Sequence, residues 1–211
     1  MTIIGSGGKL SGGKTVTGIF LLNEVGIKQG KKIISNIRLK DIDYTFIEND
    51  YFIRFIKQNI KNQKALMKLF FNSFLLLDEI RGLISARKST SNLNELLTSF
   101  FMMLGKLDCD LYYTYQVLES MVDKQLRLVT DYILKTYRIT KDGKLYSGPR
   151  IAKQDILIRV EVYIYENEIE QFIGSFVYDP KPYFNRYNTR EITLVDRDKY
   201  TRGGRYDLRS I

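Results

Sequence analysis

The stretch Gly8-Lys9-Leu10-Ser11-Gly12-Gly13-Lys14-Thr15 constrains this chain more than any other. It fits the spacing G-x-x-x-x-G-K-[ST]. Glycines at those positions let successive backbone N–H groups turn inward as a nest for an anion. Lys14 to Val25 then reads as a helix, with Gly26 as its C-cap. The positive end of that helix faces the same anion. A short apolar piece, Ile3-Ile4, stands before the loop. Strand, glycine loop and helix in this order hold the phosphates of a nucleotide. Gly8, Ser11, Gly12, Gly13, Lys14, Thr15 and Val16 would then line the phosphate site. Lys14 would reach the β- and γ-phosphates, and the Thr15 hydroxyl would be a ligand for Mg²⁺.

Composition narrows the chemistry that can follow. The chain of 211 residues contains no His and one Cys, Cys109. Triads and pairs that need imidazole are therefore excluded, as are His-ligated zinc and an internal disulfide. Acid–base work falls to carboxylates, Lys, Tyr or a bound metal. A single thiol suits a reducing compartment, so the expected location is a cytoplasm, or a virion, and the chain is not expected to be secreted. No run approaches the roughly 18 apolar residues of a membrane span.

A second motif supplies the missing base. Phe74-Leu75-Leu76-Leu77 runs straight into Asp78-Glu79. A buried parallel strand presents its C-terminal end at the ligand crevice of an open α/β sheet. There Asp78 would hold Mg²⁺ through its water shell, and Glu79 would orient and deprotonate an attacking water. By themselves the same acids would also suit a helix N-cap after a core strand. Beside a phosphate loop, the second acid argues for hydrolysis over nucleotide kinase activity. Leu111 to Tyr115 is another strand, and it ends in Gln116. That amide would bond the γ-phosphate or the attacking water. Arg81, Arg87 and Arg127 are candidates for an arginine finger.

Periodicity places these motifs in an α/β frame. Strands are expected at Ile33–Leu39, Phe71–Leu77, Leu111–Tyr115 and Tyr132–Ile139. Helices are expected at Asn49–Phe70, Asn92–Leu104 and Val122–Val129. Alternating strands and helices argue for a mainly parallel sheet flanked by helices. The alternating runs Ile156–Tyr165 and Ile169–Tyr178 form an appended antiparallel β-hairpin. The expected division is a core at 1–140, the hairpin segment at 141–179 and an irregular, basic, Tyr-rich tail at 180–211. That tail has eight Lys/Arg against four acids.

The order of motifs resembles the FtsK–HerA superfamily of pumping ATPases, and within it the compact Zot-like and genome-packaging ATPases of archaeal viruses and phages. The resemblance rests on the phosphate loop, Ser35-Asn36-Ile37, Leu75-Leu76-Leu77-Asp78-Glu79, Tyr113-Thr114-Tyr115-Gln116, Val122-Asp123-Lys124-Gln125-Leu126-Arg127, and Tyr187-Asn188-Thr189-Arg190-Glu191. It implies a RecA/ASCE-like P-loop NTPase fold with Asp78 and Glu79 as the hydrolytic pair and Gln116 as the sensor. It makes Arg87 the first choice for the finger and Arg127 the second. Relatives often carry Arg-Lys before the Gln strand, where this chain has Gly105-Lys106. The implied partners are ATP with Mg²⁺, double-stranded DNA gripped without sequence preference, other copies in a pentameric or hexameric ring, and a capsid or portal vertex. The formal net charge of +9 fits a polyanionic partner. A cellular or plasmid HerA-like motor, and a nucleotide-dependent assembly switch that does not translocate, are the competing expectations.

Overall fold

The structure is a computed structural model that describes residues 1–8, 12–80, 92–115, 126, 128–146, 155–166 and 169–187. Its centre is an eight-stranded sheet in the order β3-β2-β4-β5-β1-β6-β7-β8. The strands are β1 (Ile3–Gly7), β2 (Lys32–Ser35), β3 (Thr45–Phe46), β4 (Ser73–Leu77), β5 (Cys109–Thr114), β6 (Tyr132–Thr140), β7 (Ile156–Glu166) and β8 (Ile169–Tyr178). From β3 to β6 every pairing is parallel; β7 and β8 then add antiparallel strands. The hairpin is thus joined edge to edge with the parallel core through β6. Among the described residues, no helix is long and apolar enough to cross a membrane.

Side-chain alternation divides the interior into two cores. One face carries Leu75, Leu77, Leu111 and Tyr113 and meets α2 (Asn49–Asn59), α3 (Gln63–Phe70) and α4 (Asn92–Met103). Phe52, Phe70 and Phe100 pack there, the first and last edge-to-face at 5.6 Å, an arrangement that the ring quadrupoles favour. The other face carries Phe74, Leu76, Tyr112 and Ile158 and meets Val16, Ile19 and Leu22. These three lie along α1 (Lys14–Leu21) and the π-helical turn that extends it, Leu22–Ile27. All five residues of β4 are buried, as its continuous apolar run requires.

The short β1 is held at its start by two acids, Asp110 buried and Asp131 exposed. Asp110 accepts from the Thr2 amide at 2.7 Å, and Asp131 accepts from the Ile3 amide at 2.7 Å. Lys31, nearly buried, pairs with Asp110 at 2.9 Å and keeps that carboxylate compensated. Cys109 is buried, Ser73 donates to its sulfur at 3.1 Å, and burial pushes its thiol up to about 12. It is a core residue without redox reactivity.

Several expected boundaries move for local reasons. The helix expected over Asn49–Phe70 is two helices. Its apolar stripe loses phase between Ile60 and Leu66, and the Asn62 side chain accepts from the Ala65 amide at 3.2 Å to start a new helix. The strand expected to reach Leu39 ends at Ser35, whose hydroxyl accepts from the Ile37 amide at 3.1 Å. The described residues after β8 carry regular structure that their polarity does not suggest. Lys181–Phe184 forms the single turn α5, Arg186 donates to Asn23 at 2.6 Å, and Tyr187 bridges Leu39. Of the helix expected at Val122–Val129, only Leu126, Leu128 and Val129 are described; the first two are helical, and Val129 lies in a turn, its amide donating to the Leu126 carbonyl at 3.3 Å.

Gly26 is not a C-cap. The helical segment runs past it to Ile27, and the left-handed residue that closes the turn is Gly30, with φ 67°. Gly26 is instead a contact glycine. A Cβ there would lie 2.9 Å from Ile33 Cδ1 and 3.0 Å from Phe74 Cβ. Gly26→Ala should therefore destabilise the fold by about 1–3 kcal/mol, although Ala is the better helix former by about 1 kcal/mol. Urea denaturation checks this, and an unchanged or raised midpoint would show that the helix has room to move off the sheet.

Candidate nucleotide site

Parallel strands place their C-terminal ends on one edge of the sheet, and the two sequence motifs meet there. Gly7 closes β1, Leu77 closes β4, and β5 runs between them. Gly5 and Gly7 sit under the Tyr113 and Tyr115 rings, which would clash with any Cβ at those positions. At the start of α1, Gly13 has φ 103°, a left-handed backbone that a side chain would strain. A Cβ there would also stand 2.8 Å from Ile158 Cδ1 of β7. No side chain caps this helix end, so its first amides remain for an anion.

Lys14 lies at this mouth and donates to the Gly8 carbonyl at 3.0 Å. Burial lowers its pKa, while Asp78 and Glu79 act in the opposite sense. Thr15 turns toward Asp78 and donates to its carboxylate at 3.1 and 3.2 Å. Val16 points into the core beneath α1, which leaves its backbone amide in the first turn as its possible contribution. Gly12 is described within the bend before α1; Ser11 lies outside the described residues.

Asp78 is buried and heavily bonded. Thr114 of β5 donates to Asp78 Oδ1 at 2.7 Å, and the same Thr114 hydroxyl accepts from the Glu79 amide at 2.8 Å. From the other side, Asn36 pairs with the Asp78 backbone. Its Oδ1 accepts from the Asp78 amide at 2.7 Å, and its Nδ2 donates to the Asp78 carbonyl at 2.9 Å. Nδ2 also donates to Asn49 Oδ1 at 3.0 Å, at the start of α2. The peptide between Asp78 and Glu79 is thus gripped at its carbonyl by Asn36 and at its amide by Thr114. This grip holds Glu79 at φ 52°, an uncommon conformation for a residue with a side chain.

Burial raises the pKa of Asp78; bonds from Thr114 and Thr15 and the charge of Lys14 act against that rise. A buried carboxylate with hydroxyl neighbours, beside a second oxygen donor in Thr15, is the hard donor set that suits Mg²⁺. One or two protein oxygens suffice for that ion, since substrate phosphates and waters complete its shell.

The phosphate loop is also supported from behind. Tyr112 donates to the Lys14 carbonyl at 2.7 Å. Thr17 donates to the Gly13 carbonyl at 2.9 Å, which leaves Tyr178 of β8 to donate to Thr17 at 2.9 Å. Phe20 stacks on Tyr178 at 4.3 Å. The C-terminal hairpin therefore braces the first turn of α1.

Lys14, Thr15, Asp78 and Glu79 come together as the two motifs required. Gln116, Arg81, Arg87 and Arg127 lie outside the described residues. The structure adds Asn36 and Thr114. Asn36 carried a usable signal, because it is a polar residue leaving an apolar strand, as Gln116 is. Thr114 carried less, since one hydroxyl among tyrosines in a strand shows no partner.

Comparison with known proteins bears on the family and the fold. A family model described as zonular occludens toxin (Zot) matches residues 1–144. No curated protein matches the chain in sequence. In structure, the chain is similar to the N-terminal domain of zonular occludens toxin from Neisseria meningitidis. The TM-score is 0.60 at 15% identity, over 89% of this chain and 98% of that one. It is similar to the flagellar accessory protein FlaH from Methanocaldococcus jannaschii, with TM-score 0.52 and 14% identity over 84% of each chain. It is also similar to the genome packaging NTPase B204 from Sulfolobus turreted icosahedral virus 2, in complex with ATP-gammaS. Here the TM-score is 0.51 at 11% identity, over 82% of this chain and 97% of that one. The shared architecture is the P-loop NTPase fold, a mostly parallel sheet between helices.

The raised pKa of Asp78 has a measurable consequence. Its folded form favours the proton more than the unfolded chain does, so ionisation opposes folding. The penalty is full above the raised pKa and vanishes as pH falls toward the ordinary carboxylate value. Asp78→Asn should therefore raise the Tm near pH 8 by about 2–4 °C, for a gain on the order of 1 kcal/mol. The gain should shrink as pH is lowered. Melting curves across pH test it, and a lower Tm at pH 8 would show that the threonine bonds outweigh desolvation.

Proposed function

Because the chain belongs to the zonular occludens toxin (Zot) family, we propose that it is a Mg²⁺-dependent ATPase that moves double-stranded DNA, working as a homo-oligomeric ring that loads a viral genome into a capsid. The observation that carries this reading is the junction of Thr15, Asp78, Thr114 and Glu79 behind the phosphate loop. On this reading it brings an anion site, oxygen donors for a divalent cation and a candidate carboxylate base to one sheet edge. The likeness to a viral genome packaging NTPase supports the packaging role.

The chain's own groups divide the work. The loop amides and Lys14 bind the phosphates and offset their charge. Thr15, and Asp78 through the ion's water shell, would hold Mg²⁺, which would supply positive charge against the phosphates. Glu79 takes the proton of the attacking water, and the peptide grip from Asn36 and Thr114 sets where its side chain starts. Asn36 is on this reading a positioning residue. Gln116 senses the γ-phosphate or the attacking water, and Arg87 or Arg127 supplies charge to a neighbouring subunit's site. The competing reading, a nucleotide-dependent assembly protein, draws on the likeness to a flagellar accessory protein.

Turnover measured with and without duplex DNA separates the two. A motor should be stimulated by DNA, and equal rates at low salt would favour the assembly protein. Glu79→Gln should lower kcat by about 10²–10⁴ while keeping ATP affinity. Normal hydrolysis by that variant would remove Glu79 as the base.

Asn36→Ala should lower kcat by about tenfold or more with nucleotide affinity retained, since the side chain contacts the Asp78 peptide and not the loop. Combined with Glu79→Gln it should bring no further loss. An additive loss in the double variant would assign Asn36 a role independent of the base.

A further inference from the structure

We infer that the outer faces of α2 and α3 form the surface that grips double-stranded DNA. This deepens the DNA-motor reading by assigning its contact. Between Tyr51 and Asn72 the chain has Arg54, Lys57, Lys61, Lys64 and Lys68 and no acid. Five charges in so short a stretch account for more than half of the net +9. All five side chains are exposed. Both helices bury their other faces, through Phe52 and Ile56 in α2 and Leu66 and Phe70 in α3, in the same core. Their charged faces therefore both lie outside that core.

Seven other cations among the described residues are neutralised locally. Lys28, Lys31, Lys135, Lys141, Lys144, Lys181 and Arg159 each pair with a carboxylate. Among the described residues, none of the five on α2 and α3 has a carboxylate partner. Along α2, Arg54 and Lys57 are three residues apart, and along α3, Lys64 and Lys68 are four apart, so each pair shares a helix face with about 5–6 Å between Cβ atoms. Lys61 stands in the short link between the helices.

A row of unpaired cations collects a row of phosphates and releases their counterions. Lysine is a point charge without the fork that reads a base edge, and four of the five are Lys. Such a surface holds the backbone and ignores sequence, as a translocating grip must. The exposed residues between the charges include the amides Gln58, Asn62 and Gln63, which suit phosphate and sugar oxygens. A membrane-surface helix would carry a broad apolar face toward the lipid, whereas the apolar face here is committed to the core. The patch also touches the chemistry: α2 begins at Asn49, which accepts from Asn36, and Asn36 holds the Asp78 peptide.

The test compares two triple variants of equal charge change in the full chain. One carries Lys57→Gln, Lys61→Gln and Lys64→Gln. The other carries Lys32→Gln, Lys40→Gln and Lys106→Gln, at exposed lysines away from the patch. Binding of a fluorescein-labelled duplex is followed by anisotropy across a salt series, with ATP turnover in the absence of DNA as control. The patch variant should lose about tenfold or more in affinity, and its slope of log K against log[salt] should flatten by about 0.9 for each phosphate contact removed. The control variant should keep wild-type affinity within about twofold. Equal losses in both variants, or wild-type binding by the patch variant, would overturn the inference. So would wild-type protein that binds phosphatidylserine vesicles and no duplex. Turnover without DNA stays at the wild-type level in either variant. DNA binding through the patch without DNA-stimulated turnover would leave the grip in place and remove the motor.

Discussion

The buried carboxylate of Asp78 is the constraint on which the rest of this structure turns. A charge taken out of water needs partners, and here they come from separate elements. Thr15 comes from α1 and Thr114 from β5, while Asn36 of the β2 exit holds the backbone beside it. Satisfying one carboxylate therefore fixes the spacing between the phosphate-loop helix and the acidic strand. The residual cost of burial, visible in the raised pKa, makes the site receptive to a cation.

The same bonds account for the strained backbone next door. Glu79 adopts a positive φ because its peptide is clamped at both ends, and such strain lasts only where surroundings over-determine it. Around this point the packing is tight. Gly18 lets α1 lie against Tyr112 and Leu76, where a Cβ would come within 2.6 Å of the Tyr112 ring. On the outer side, Ile158 and Tyr178 bring the hairpin onto the same helix. The hairpin is thus part of the support of the nucleotide site, and α2, reaching the site through Asn49 and Asn36, connects it to the basic surface on the opposite face.

Much of the fold was legible because its elements have strong periods. The apolar run into Asp78-Glu79 could only be a buried strand with its acids at the exit. The glycine pattern could only be a tight loop before a helix, so Lys14, Thr15, Asp78 and Glu79 could be named together. Boundaries were less legible where one side chain decides them. Asn62 splits a helix and Ser35 ends a strand through single hydrogen bonds that periodicity does not register. Gly26 was misread because a glycine needed for a left-handed turn and one needed for close contact look alike in sequence.

The sequence by itself narrowed the chemistry. Without histidine, and with one cysteine, its motifs point to a nucleotide site in which a carboxylate is the candidate base, and the spacing within each motif is local enough to be read along the chain. Tertiary structure decided how Glu79 is held. Asn36 and Asp78 are 42 residues apart, and Asp78 and Thr114 are 36 apart. Only the parallel order β2-β4-β5 brings their ends to one edge. It also decided where the charge lies: the sum of +9 is composition, while the fold leaves Arg54, Lys57, Lys61, Lys64 and Lys68 exposed on one stretch of surface without an ion pair among the described residues.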